Sequence, residues 1–192
     1  VALPAQEAEA VRATGGSARF PDVEWISWGT HGTGLDPGST TSISTTEEFT
    51  RGGSDYVVTC SLTNIRRTRG TTGGKPYITA YTPGDWRGDG LDDLYNIGGT
   101  GKSNKMAIGI RNRNDGNTIQ FSVSCSATVN RGGVVSSFPL AGLVMASAES
   151  SVTAGTVREH VAATISGSSR WRILDHIKVV LPAGRAGSPR EL

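Results

Sequence analysis

The sequence predicts an all-β protein, a β-sandwich or jelly roll of about ten strands, and three observations lead there. No stretch offers a long stripe of apolar residues at helical spacing, whereas short runs alternating apolar residues with Thr, Ser or charge recur along the chain. Glycine, 26 of the 192 residues, punctuates these runs together with Ser and Thr. A hydrophobic content of 36% with Trp25, Trp28 and Trp171 supplies a core, so this is a turn-rich folded chain rather than a collagen or a disordered segment. The length suits one domain with a sizeable core.

The first strand runs through Val23, Trp25 and Ser27 on one face and Glu24, Ile26 and Trp28 on the other. Both faces carry apolar bulk, which places it centrally in a sheet. Gly29 to Gly38 follows as a loop, with Asp36, Pro37 and Gly38 as turn formers. Thr40 to Phe49 alternates Thr, Ser and Ile and reads as a half-exposed strand. Arg51 to Ser54 turns the chain into a further strand over Tyr56 to Leu62. Arg66, Arg67, Arg69 and Lys75, interrupted by Thr68, Gly70, Gly73 and Gly74, read as a solvated hairpin loop. No aromatic residue interleaves with them to stack on bases; sulfated glycans or an acidic partner are the alternative use of this run.

Tyr77 to Tyr81 is a short strand. Lys105 to Arg113 and Thr118 to Val129 read as neighbours in a hairpin, joined through Asp115 and Gly116, the strongest turn signal in the chain. From Leu140 to Ile165 strands are expected, because Val157, Glu159 and Val161 alternate and Gly142 and Gly155 break any long helix. Trp171, Ile173 and Ile177 to Val180 complete the core. Residues 1–20 read as a flexible tether, of the kind left behind when a secretion signal is removed. Residues 21–181 form the single domain. In the tail, residues 182–192, Pro182, Gly184, Gly187 and Pro189 prevent regular structure.

Cys60 and Cys125 each fall within a strand pattern, and a disulfide between them is expected, with two buried free thiols as the alternative. His31, His160 and His176 show no metal-ligand spacing with them, which argues against zinc. An oxidised pair places the chain outside the cytosol. The formal net charge of +2 comes from scattered arginines, without the clustered positive face of a nucleic-acid binder. No apolar run approaches the about 18 residues that cross a membrane.

The segment Asp85, Trp86, Arg87, Gly88, Asp89, Gly90, Leu91, Asp92, Asp93, Leu94, Tyr95 gathers four carboxylates and a tryptophan in one turn-forming loop. It is the candidate binding loop. Asp85, Asp89, Leu91 and Asp93 stand at positions 1, 5, 7 and 9 of a calcium-loop register, with Gly90 at the sixth. Carboxylates on alternate residues and one backbone carbonyl can converge on a hard cation. Arg87 at the third position and Asn96 at the twelfth depart from that pattern, and a solvated acidic turn is the competing interpretation. Arg87, Gly88 and Asp89 also spell the tripeptide by which matrix proteins engage integrins.

Trp86, Tyr81 and Tyr95 offer faces to a sugar ring whose hydroxyls the carboxylates would accept. Core packing is the usual fate of such aromatics, but Trp86 lies among charges and glycines and is the tryptophan expected to meet solvent. The glycine-rich run Gly98 to Ser103 is no phosphate loop, because its first required glycine is Asn96 and a strand pattern follows where a helix must open. No serine sits in a nucleophile elbow. Glu47, Glu48, Glu149 and Glu159 are eligible by type as a glycosidase pair, but nothing in the sequence pairs them.

The opening Val23, Glu24, Trp25, Ile26, Ser27, Trp28, the later Phe138, Pro139, Leu140, Ala141, Gly142, Leu143, Val144, Met145, Ala146, Ser147, Ala148, Glu149, Ser150, and then Glu159 and Trp171 occur in a telling order. Over most of its length the chain resembles the non-repetitive adhesive domain of CshA-like fibrillar surface proteins of Gram-positive bacteria. The resemblance implies a lectin-like β-sandwich on a cell surface that binds a host or neighbouring-cell ligand. It does not account for the cysteine pair, and no binding residue of the family maps onto the acidic loop.

The expectation is therefore a secreted or surface-exposed, non-enzymatic adhesive module, a monomeric domain within a larger surface protein. Its partner would be an extracellular protein or glycan, met through Trp86, Arg87, Asp89, Tyr81 and Tyr95, with calcium as the candidate cofactor. A carbohydrate-active enzyme and a purely structural stalk are the rival functions.

Overall fold

The computed structural model describes residues 25–82, 107–114, 116–145, 162–165 and 171. These residues contain no helix and the following strands: β1 (Ile43–Arg51), β2 (Ser54–Arg69), β3 (Ile78–Tyr81), β4 (Gly109–Asn112), β5 (Thr118–Arg131) and β6 (Val134–Phe138). One antiparallel sheet has the order β1-β2-β5-β6, and β3 pairs antiparallel with β4 in a second.

Alternation along β2 sets the register of the large sheet. Tyr56, Val58, Cys60 and Leu62 are buried on its inner face. They stand directly opposite Phe49, Glu47, Thr45 and Ile43 on β1 and Val129, Ala127, Cys125 and Val123 on β5. Opposed residues share a face, so a slip of one place would carry this apolar row into water. The outer face is hydroxyl-rich: Ser44 bonds Ser61 at 2.7 Å, and Thr46 bonds Thr59 at 3.0 Å. Cys60 and Cys125 form the expected disulfide across the central pair, with Cα atoms 4.1 Å apart and 65 residues between them in sequence. A staple closing so long a loop stabilises the fold by about 4 kcal/mol in the chain-entropy model.

Two hairpins of the sheet share one device. Gly52 and Gly53 between β1 and β2, and Gly132 and Gly133 between β5 and β6, all have positive φ. That is the pair of left-handed residues a tight primed turn needs between twisted strands. At its far end β2 shifts register between Thr63 and Arg66, and Asn64 takes φ 55°. The shift turns Ile65 inward to 2% exposure, and its N–H donates to the Thr41 carbonyl.

The core joins the two sheets. Ile26, Trp28, Leu35, Ile78, Ala80 and Ala107 lie in one buried cluster with Tyr56, Val58, Leu62, Val129 and Phe138. Each large side chain buried there is worth about 1.5–3 kcal/mol relative to exposure. Gly34 forms a bridge with Thr79, and the Leu35 N–H donates to the Ile78 carbonyl, so the loop before β1 lies along β3. Asp36 is wholly buried and accepts the N–H groups of Tyr77 and Ile78 at 2.8 and 3.2 Å, fixing the entry into β3.

Among the described residues the all-β expectation stands; the strands at Thr40–Phe49 and Tyr77–Tyr81 appear with small changes of bounds, and that at Tyr56–Leu62 lengthens to Ser54–Arg69. Four readings are corrected. Trp25 to Trp28 is an irregular segment rather than a central strand. Side chains hold it: Ser27 N–H donates to Glu47 Oε1, and Thr45 Oγ1 donates to the Ser27 carbonyl. Arg66, Arg67 and Arg69 belong to β2 rather than to a loop, because Gln120, Ile119 and Thr118 on β5 pair with them. The turn at Gly116 does not make a hairpin. Its flanking strands go to different sheets, since β2 occupies β5 from Thr118 to Asn130 while β4 pairs with β3. Trp171 does not complete the core, being 46% exposed, and Ile165 is 43% exposed.

β6 was not anticipated. Its Val134-Val135-Ser136-Ser137-Phe138 alternates only weakly, and the Gly132-Gly133 pair was its one signal. The two terminal segments, the first strand's Val23 and Glu24, Ile173 and Ile177–Val180, and most of the expected strands between Leu140 and Ile165 lie outside the described residues.

Candidate functional site

The acidic loop is carried between β3 and β4, and the described residues define both of its ends. At one end Tyr81 pairs with Gly109 across the small sheet, and Thr82 follows, 5% exposed. The Thr82 N–H donates to His31 Nδ1 at 3.1 Å. At the other end Ala107 is fully buried, and its carbonyl accepts the Trp28 N–H at 2.8 Å. Each stem is thus tied by a hydrogen bond to the segment 28–35, which is itself bonded along β3 through Gly32 and Ala80 and through Ala80 and Thr33. A loop emitted from such a frame has its two ends held by backbone pairing on three neighbouring segments.

Tyr81 is the one candidate contact residue among the described ones, and it is 4% exposed. Its ring lies 5.4 Å from the His31 ring, and the Arg111 guanidinium stands 5.5 Å over it. Gly109 fits against it closely; a Cβ there would come within 3.1 Å of the Tyr81 carbonyl oxygen. Tyr81 therefore builds the base of the loop. Trp86, Arg87, Asp89 and Tyr95, and the candidate calcium ligands Asp85, Asp89, Leu91 and Asp93, lie outside the described residues. Among the described residues no group of three or more His, Cys, Asp or Glu side chains is placed to hold a metal ion.

The acids eligible for hydrolysis are not brought together where they are described. Glu47 and Glu48 are consecutive on β1 and so point to opposite faces. Glu47 is half-buried and accepts from Ser27, whereas Glu48 is exposed. Glu149 and Glu159 lie outside the described residues. An open depression of about 240 Å³ beside Glu48, Thr50 and Asp55 flanks the first hairpin and holds no histidine.

Sequence reasoning missed Arg111 and Arg113, which bring further cations to the Arg66–Lys75 region, and Tyr77, which supplies the aromatic face that the arginine run itself lacks. The Arg67 guanidinium lies 5.3 Å over the Tyr77 ring. The signal was the spacing of Arg111 and Arg113, two apart and therefore on one face of an extended chain.

Among the described residues no helix is long and apolar enough to cross a membrane. No curated protein and no solved structure matches the chain. A family model does match, that of the surface adhesin CshA non-repetitive domain 2, over residues 21–189. That span includes both sheets, the disulfide, the acidic loop and its stems, and the chain belongs to the CshA non-repetitive domain 2 family of surface adhesins.

Proposed function

We propose that this domain is a non-enzymatic adhesive module of a secreted or cell-surface protein, a lectin-like sandwich of about ten strands, which binds an extracellular protein or glycan through the loop Asp85 to Tyr95. Membership of an adhesin family across residues 21–189 is the observation that carries this. The disulfide suits an extracellular setting. The paired stems suit a loop whose ordering cost is lowered before the ligand arrives. In this assignment Trp86 and Tyr95 offer aromatic faces, Arg87 and Asp89 make charged hydrogen bonds, and Tyr81 anchors the loop from beneath.

Binding to arrays of extracellular glycans and matrix proteins tests this, with the wild type beside Trp86→Ala and Asp89→Ala. Saturable binding that both substitutions weaken by about tenfold or more, as hot-spot residues do, supports it. Binding indifferent to both, or turnover of a glycan, contradicts it. Calcium belongs to the same proposal, held by Asp85, Asp89, Asp93 and the Leu91 carbonyl. Calorimetry with calcium should give a heat that Asp89→Ala removes, and a wild type with neither heat nor a melting shift loses the metal, since a ligand of the native state must stabilise it.

A further inference from the structure

Along β2 the acid and the arginines stand at opposite ends, while Arg51 and Arg131 close β1 and β5 at the acidic end. Among the described residues the acids are Asp36, which is buried, and Glu47, Glu48 and Asp55 on β1 and the start of β2. Arg66, Arg67 and Arg69 close β2. From Val58, the partner of Glu47, to Arg66 the strand covers roughly 25 Å.

The fold adds three more cations at the basic end. The Arg113 N–H donates to the Tyr77 carbonyl at 2.9 Å, continuing the β3–β4 ladder, and its Nη1 lies 3.4 Å from the Lys75 carbonyl. Arg111, two residues earlier, is about 7 Å away on the same strand face. Lys75 Nζ donates to the Thr40 carbonyl at 2.7 Å. The segment after β2 is laid on the turn before β5: Asn117 Nδ2 donates to the Thr72 carbonyl at 2.7 Å, and Gly73 lies against Asn114. Arg66, Arg67, Arg69, Lys75 and Arg113 thus gather at one end of the described sheets, with Arg66 and Arg67 on opposite faces of β2 and Arg111 reaching from there over Tyr81.

Every side-chain acceptor bonded to these cations is neutral. Arg66 Nη2 donates to Gln120 Oε1 at 3.0 Å, and Arg67 Nη1 donates to the carbonyls of Thr72 and Gly73 at 3.1 and 2.6 Å. Among the described residues no carboxylate is bonded to any of the six. A guanidinium has five donors, and these bonds use one or two, so the charge and most of the hydrogen-bonding capacity face outward. Arg66, Arg69, Arg111 and Arg113 are exposed. In the sequence one acid, Asp115, follows Asn114.

Such a face concentrates positive potential and attracts anions. Arginine forks match the paired oxygens of an oxyanion. Two of them lie over tyrosine rings, Arg67 over Tyr77 and Arg111 over Tyr81, which covers those aromatic faces. A ring with one face taken by a guanidinium is a poorer stacking platform for a single-stranded nucleic acid. Thr68, Asn112 and Gln120 lie among the cations, already bonded to the Thr118 carbonyl, the Asn117 carbonyl and Arg66.

We infer that this basic end is a second binding face, for a sulfated glycan chain. Arg66, Arg69 and Arg113 are none of the residues assigned to the acidic loop, so substituting them tests this face separately. Calorimetry with a heparin-derived oligosaccharide at low and physiological salt tests it, beside the desulfated chain and a single-stranded DNA of matching charge. The protein variant is the triple substitution Arg66→Ala, Arg69→Ala and Arg113→Ala, whose side chains lie outside the core. The expected result is binding of the sulfated chain that weakens with salt and falls at least about tenfold in the triple variant, as three partly exposed ionic contacts would give. Desulfated chain and DNA should bind at least about tenfold more weakly. No binding of the sulfated chain at low salt, equal binding of DNA or the desulfated chain, or a folded triple variant of undiminished affinity would each overturn it. The ligand comparison is made on the wild type and stands even where the triple variant fails to fold.

Discussion

Asp36 shows how one side chain positions a functional element. It is buried without exposure, and its Oδ1 receives two backbone N–H groups at the start of β3, the strand that leads into the loop. Its Oδ2 is buried with no hydrogen-bond partner among the described residues. Removing the acceptor strands two donors at a site with little water. Asp36→Ala should therefore lower stability by about 2–3 kcal/mol, and Asp36→Asn, which keeps a carbonyl oxygen, by less; urea midpoints measure both. Leu62 acts through volume alone. It is fully buried between β1 and β5, and Leu62→Ala should cost about 2–5 kcal/mol by the same measurement. In the sequence Asp36 looked like a turn former beside Pro37 and Gly38. Its real role depends on a strand forty residues later, and no local pattern records that.

The central pair β2 and β5 carries the fold. Their facing residues run from Asp55 with Asn130 to Arg69 with Thr118, interrupted by two register shifts, and Cys60 faces Cys125 in the middle. Both strands were legible, because each alternates a buried row with Ser and Thr, and the cysteines stood within those rows. Less legible was which strand pairs with which. Asp115-Gly116 suggested a hairpin on local turn chemistry, yet β4 found its partner in β3 and β5 in β2. Long-range packing of Ile78 and Ala80 against the large sheet outweighed adjacency in sequence. Trp171 was misread and β6 missed for a related reason, since a tryptophan or a Val-Val pair has no face until its neighbours are known. Because the disulfide joins strands that already pair, it constrains the unfolded chain rather than creating the sheet. Reduction, or Cys60→Ala with Cys125→Ala, should leave the β circular-dichroism signature at room temperature and lower the melting temperature by roughly 10 °C.

At the scale of the whole molecule, the described residues join a basic end to a hydroxyl-rich sheet face. The acidic loop leaves the β3–β4 pair beyond Tyr81, and the cations gather near the other end of that pair, around Tyr77 and Arg113. The loop was conspicuous in the sequence because its residues are contiguous. The basic face was only half visible, because Arg111, Arg113 and Tyr77 join Arg66, Arg67 and Arg69 through pairing rather than order. The match to a surface-adhesin family over residues 21–189 and the disulfide-stapled sheet agree with each other. The most direct test of that role is the affinity of the intact domain for the extracellular glycan or protein it binds best, compared with Trp86→Ala and Asp89→Ala. Saturable binding weakened by about tenfold or more in both variants, with melting temperatures unchanged, is the predicted result; undiminished affinity in the two folded variants would contradict it.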